Sequence, residues 1–157
     1  METVKISKSK FHLSDKLGER VVFIICLICM FLFLYTAYSK FIDHQRFFKG
    51  LSTVSVIGSF AIYLSWLVPS SEVLVSVLLI IPRTYKLGLY GFAGLVSVFT
   101  IYIISMVLWA KTLPCNCGGV IEKLTWVQHI WFNLAFIAIA VFALYLSNSN
   151  NFKIQKS

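Results

Sequence analysis

The stretch Val21–Ser39 reads VVFIICLICMFLFLYTAYS, nineteen consecutive residues without a charged side chain. At about 1.5 Å per residue, a helix of roughly 20 residues crosses the hydrocarbon core of a bilayer. A soluble helix of this length would carry a charged face, and this run has none. Arg20 and Lys40 bracket it. A cleaved signal peptide is the competing reading. Against it, the polar lead Met1–Arg20 is long and no small-residue cleavage site follows the run. The stretch reads as an uncleaved first transmembrane helix.

The same pattern recurs outward along the chain. Gly50–Pro82 is uncharged except for Glu72, too long for one straight span and too short for two with a loop. One helix kinked at Pro69 fits best, because a membrane helix tolerates proline when neighbours satisfy the freed carbonyl. Leu87–Ala110 is a third uncharged run, with Gly88, Gly91 and Gly94 on one side for close helix approach. Leu124–Leu146 is the fourth, charge-free unless His129 is protonated. The expected spans are about 21–39, 57–82, 87–110 and 124–146. The tails are 1–20 and 147–157. Between the first two spans, KFIDHQRFFK (Lys40–Lys49) mixes Phe41, Phe47 and Phe48 with Lys40, Arg46 and Lys49. That suits a short interfacial helix, apolar side down and charges up; a plain connecting loop is the alternative. The fold class expected is all-α, a four-transmembrane-helix bundle in a single domain.

Composition agrees. Of 157 residues, 59 % are hydrophobic and 13 % charged, and mean hydropathy is +0.84. Soluble domains are nearer half apolar and a quarter charged. An ordinary cytosolic enzyme and a disordered chain are both disfavoured, and four Cys are too few for a disulfide-stapled miniprotein. The net charge of +8 sits at the ends of the apolar runs, not on a solvated patch, so no nucleic acid partner is expected. The partner implied is the lipid bilayer.

The basic residues also set an orientation. With the N-terminus inside, Lys5, Lys8, Lys10, Lys16, Arg20, Arg83, Lys86, Lys153 and Lys156 lie on the inner side. Lys40, Arg46, Lys49, Lys111 and Lys123 lie on the outer side. Nine against five favours both termini in the cytoplasm of a bacterial inner membrane. Cys115 and Cys117 then face the periplasm, where disulfides form and persist.

Those two cysteines occupy the loop KTLPCNCGGVIEK (Lys111–Lys123). A bond between them would close a very small ring, and strain makes a disulfide easier to reduce. Pro114 stops the preceding helix, and Gly118 and Gly119 permit a tight backbone. Lys111, Lys123 and His129 add positive potential, which favours the thiolate. The functional reading is a redox-active pair, with His129 as acid or base. The plain reading is two structural loop cysteines. A metal reading would use Cys115, Cys117 and His129, but no fourth protein ligand is evident, so no metal is assigned. Cys26 and Cys29 lie inside the first span. At i and i+3 their Cβ atoms are about 5–6 Å apart on a helix, beyond the roughly 3.5–4.5 Å of a disulfide, so they read as buried apolar thiols. The intramembrane polar candidates are Glu72, Asn133 and Lys40. A carboxyl near mid-membrane is costly; it relays protons, meets a quinone head group or ties two helices. His129 and Asn133 are four apart and share a helix face.

In order, these features resemble the methylamine utilisation protein MauE family, within the wider DoxX-like group. They are Tyr38-Ser39-Lys40-Phe41 with Asp43, then Pro69 and Glu72 leading into Val73–Leu79. A glycine-bearing helix follows, then Cys115-Asn116-Cys117-Gly118-Gly119, then His129 and Asn133. The resemblance covers most of Val21–Leu146. The family loop usually reads C-G-C-F-G; the Cys pair matches here and the neighbouring residues differ. The basic residue often found before the last-helix Asn is replaced by the neighbourhood of His129. The resemblance implies an inner-membrane protein supporting periplasmic thiol–disulfide exchange, or maturation of a disulfide-containing client such as methylamine dehydrogenase. Its partner would be a periplasmic thioredoxin-like protein or that client, and a quinone is the cofactor such a role allows. The alternative is a non-enzymatic assembly factor or small carrier with structural or metal-binding cysteines.

Overall fold

The computed structural model describes residues 9–52, 58–109 and 126–154. Inside a bilayer every backbone N–H and C=O must find its partner within the protein, so the uncharged runs become helices. Helix α1 covers Ser9–Ile42, α2 His44–Ser52, α3 Ala61–Ile80, α4 Tyr85–Trp109 and α5 Trp126–Ile154. A 3-10 turn, Gly58–Phe60, leads into α3. Four segments are long and apolar enough to span: Leu17–Ile42, Gly58–Ile80, Tyr85–Ser105 and Val127–Asn148. The chain is an all-α, multi-pass membrane protein, and the described residues contain no strand.

Two helices run past the apolar stretches that nucleate them. α1 begins at Ser9 inside the polar lead, and α5 continues to Ile154. Once a span has paid for nucleation, each added residue brings one more hydrogen bond, and good helix formers such as Lys, Leu and Glu extend it. Pro69 lies within α3 and is fully buried, and the helix continues on both sides of it.

α1 packs against α3 and α5, and α4 packs against the same two. α1 and α4 face each other across the diagonal of the bundle. The α3–α4 turn is short because Pro82 cannot continue the helix. Thr84 closes it, with its N–H on Ile81 O at 3.0 Å and its hydroxyl on Leu78 O at 3.1 Å. Beside this turn the Tyr85 hydroxyl meets Ser147 Oγ at 2.6 Å, and Lys86 Nζ donates to Asn148 Oδ1 at 3.1 Å. These contacts tie the start of α4 to the end of α5.

The three glycines of α4 are not equivalent. A Cβ at Gly88 would stand 2.8 Å from Leu79 N, and one at Gly91 would stand 3.0 Å from Val75 Cγ2. Nothing lies within 4 Å of a Cβ at Gly94. The close α3–α4 approach therefore rests on Gly88 and Gly91.

The apolar core fills one half of the bundle, the half nearer the α3–α4 turn. Ile25, Cys29 and Phe33 of α1 meet Leu79, Leu89, Phe92 and Ala143 of the other helices there. The Phe33 and Phe92 rings stack at 4.4 Å between centroids. On the outside, Phe31, Trp131 and Tyr145 are each 69–70 % exposed, a surface that suits lipid and not water. The short α2 sits against α3, with Phe47 and Leu51 buried beside Ala61, Leu64 and Val68.

Candidate functional site

The other half of the bundle is hollow. A cavity of about 130 Å³ lies between α1, α3, α4 and α5, at the end from which the 110–125 connection departs. Helical spacing brings its lining together. Phe33, Thr36 and Lys40 recur at three and four residues along α1, as do Val68 and Glu72 on α3 and His129, Phe132 and Asn133 on α5. α4 contributes Leu95, Val96, Val98 and Phe99.

Its centre is an ion pair. Lys40 Nζ donates to Glu72 Oε1 at 2.6 Å, and both residues are more than nine-tenths buried. Lys40 stands near the end of α1, where a lysine ordinarily extends outward to the interface. Here it turns inward. Its ammonium lies 5.7 Å from the Phe47 ring and 5.6 Å from the Phe99 ring. Aromatic faces attract a cation, so these rings offset part of its lost hydration. Backbone ties steady the walls: Ser76 Oγ donates to Glu72 O at 2.8 Å and Thr100 Oγ1 to Val96 O at 2.7 Å.

Two polar atoms of the lining stay unsatisfied. Glu72 Oε2 and Asn133 Nδ2 are buried and make no hydrogen bond with any described residue. The Thr36 hydroxyl stands beside the carboxylate and 3.1 Å from Phe33 O, and its one rotatable proton serves one acceptor at a time. An acceptor and a donor therefore stand among the lining residues of one cavity whose other walls are mostly apolar. Buried polar groups are normally paired, and such exceptions ask for an explanation.

The structure thus brings Lys40, Glu72, His129 and Asn133 to one cavity. Cys115 and Cys117 lie outside the described residues. Cys26 and Cys29 are free and buried in the apolar half, and neither lines the cavity. No group of three metal-ligating side chains occurs among the described residues. Sequence reasoning missed the aromatic wall of Phe33, Phe99 and Phe132 and the presence of Thr36 beside Glu72. The i, i+4 placement of Thr36 and Lys40 was the available signal.

The pattern of the methylamine utilisation protein MauE family matches residues 18–146 and so takes in nearly the whole of the four spans and every cavity residue. The chain belongs to the MauE family. Membership makes it a methylamine utilisation-associated membrane protein. The cavity thus lies wholly within the part of the chain that is MauE-like, and the polar tails lie largely outside it. No curated protein and no solved structure matches the chain.

Proposed function

We propose that this MauE-family protein supports thiol–disulfide exchange on the periplasmic face of a bacterial inner membrane, with both termini in the cytoplasm. Cys115 and Cys117 are the exchanging pair. The partner is a thioredoxin-like protein or a disulfide-containing client whose maturation depends on the exchange. Methylamine dehydrogenase is the client that the family's name brings into view.

The observation that carries this reading is the position of the polar cavity. Lys40, Glu72, His129 and Asn133 gather in the half of the bundle from which the 110–125 connection departs. That connection carries Cys115 and Cys117 and continues directly into α5, whose first turns bear His129. The basic-residue balance favours this end as the outer, oxidising face. Exchange would move two electrons and two protons between the Cys115–Cys117 pair and a dithiol or disulfide of the partner, through a mixed disulfide. His129 supplies acid–base capacity within reach of the same end.

The test uses a Cys117→Ser variant of the full chain in cells. With Cys117 replaced, Cys115 remains as the loop thiol that can hold the partner as a mixed disulfide. The expected result is a covalent adduct that reducing agent dissolves, together with loss of client maturation. Full client maturation without an adduct would overturn the reading and support an assembly factor whose cysteines are structural.

A further inference from the structure

The end of the bundle opposite the cavity carries cations that have no acidic partner. Among the described residues the ion pairs are Lys40–Glu72 and Asp43–Arg46, both at the cavity end. Arg83, in the α3–α4 turn, and Lys86, in the first turn of α4, join neither. Arg83 is exposed and Lys86 half-buried. Asn148 Oδ1 holds Lys86 Nζ at 3.1 Å, and the neighbouring Tyr85 hydroxyl is fixed on Ser147 Oγ at 2.6 Å. An ammonium can only donate, so Asn148 must present its oxygen to Lys86, which leaves Asn148 Nδ2 as a further donor. One span begins at Tyr85 and another ends at Asn148, so these groups stand at the depth of lipid headgroups. Along α4 toward mid-membrane, Leu87, Tyr90 and Val98 are 58–66 % exposed. Gly94 lies in the same stripe, four residues from Tyr90 and four from Val98, and is exposed with nothing within 4 Å of a Cβ there. The lipid-facing surface therefore dips at Gly94.

We infer that this corner of the bundle binds an anionic phospholipid. The headgroup phosphate accepts from Lys86 Nζ, Asn148 Nδ2 and the Arg83 guanidinium, and one acyl chain follows Leu87 and Tyr90 into the dip at Gly94. Lys86 keeps two ammonium protons beyond the one given to Asn148. Because Asn148 already holds that ammonium in place, less side-chain freedom is lost when a phosphate arrives. The turn that bears Arg83 is fixed as well, by Thr84 on Ile81 O and Leu78 O. A zwitterionic lipid brings its own cation beside its phosphate, so it neutralises neither Arg83 nor Lys86. The site therefore prefers a headgroup of net negative charge. Each basic residue near an anionic lipid surface strengthens attachment about fivefold, so two together give about 25-fold. The inference rests on these cations and their depth in the bilayer, and stands apart from the thiol chemistry proposed for Cys115 and Cys117.

Thermal unfolding of the purified full chain in dodecylmaltoside tests it, because a ligand of the folded state raises Tm. The probes are dioleoylphosphatidylglycerol, dioleoylphosphatidylcholine and glycerol phosphate, at equal concentration and constant salt. Phosphatidylglycerol is expected to raise Tm more than phosphatidylcholine, and glycerol phosphate to leave it unchanged. Arg83→Gln/Lys86→Gln is expected to fold, since neither side chain enters the core, and to weaken phosphatidylglycerol binding about 25-fold. Arg46→Gln/Lys49→Gln removes the same formal charge at the other end and is expected to keep the full preference. A Cys115→Ser/Cys117→Ser chain is expected to respond as the unmodified chain does, which separates this site from the thiol reading. Equal shifts from the two phospholipids would overturn the assignment. So would a shift from glycerol phosphate as large as that from phosphatidylglycerol, or equal losses in the two glutamine variants.

Discussion

Lys40 and Glu72 show how much one residue pair can decide. They are 32 positions apart in sequence, and their ion pair ties the end of α1 to the middle of α3. Taking two charges out of water is expensive, and their attraction repays the cost only when geometry is good. Removing one partner then strands the other. Lys40→Met alone should destabilise the bundle by about 3 kcal/mol or more, measured by unfolding in detergent, because Glu72 is left without its cation. The double change Lys40→Met/Glu72→Leu should recover most of that loss. If the double variant is as unstable as the single one, the pair is not the unit described here. Cys26 and Cys29 are simpler. They contribute small apolar volume to a packed core, so replacing both with alanine should cost only about 1–2 kcal/mol and leave client maturation unchanged. Lost maturation in a well-folded Cys26→Ala/Cys29→Ala chain would give these thiols a role that the present account denies them.

At the scale of the helices, the spans were easy to read and their contacts were not. An uncharged run such as Val21–Ser39 declares itself because lipid admits few other structures. The ends of α1 and α5 were hidden because helix extension into polar residues depends on propensity, a weak signal. Gly88, Gly91 and Gly94 share a face in sequence, yet only the first two approach α3. Which glycine matters depends on where the neighbouring backbone passes, and no spacing rule contains that. Gly88→Ala should therefore cost about 1–3 kcal/mol, since its Cβ meets the Leu79 backbone, which cannot rotate away. Gly94→Ala should be neutral or mildly stabilising, through its better helix propensity. Paired melting curves of the two variants check this, and equal losses would contradict it.

Over the whole molecule, the chain divides into a packed half and a hollow half. The packed half joins Cys29, Phe33, Phe92 and Ala143 and holds the bundle together. The hollow half collects Lys40, Glu72, His129 and Asn133 toward the end where α4 stops and α5 begins. The scarcity of polar residues made these four visible in the sequence, because each interrupts or borders an apolar run. Their convergence was not visible. Lys40 read equally well as a flanking charge, and nothing in the spacing of α1 turns its side chain inward toward a carboxylate on another helix. The aromatic wall was hidden for a related reason: among 14 Phe, those lining a cavity look no different from those facing lipid.

The proposed exchange chemistry joins this architecture to one observable, the redox state of Cys115 and Cys117 in living cells. Trapping with a membrane-impermeant alkylating reagent in a Cys26→Ala/Cys29→Ala background reads that state directly, because only the loop pair then remains to be labelled. The account predicts that the reagent reaches the pair from outside. It also predicts that the oxidised fraction changes when the periplasm is made more reducing or more oxidising. A pair that stays fully reduced under every growth condition would contradict the account.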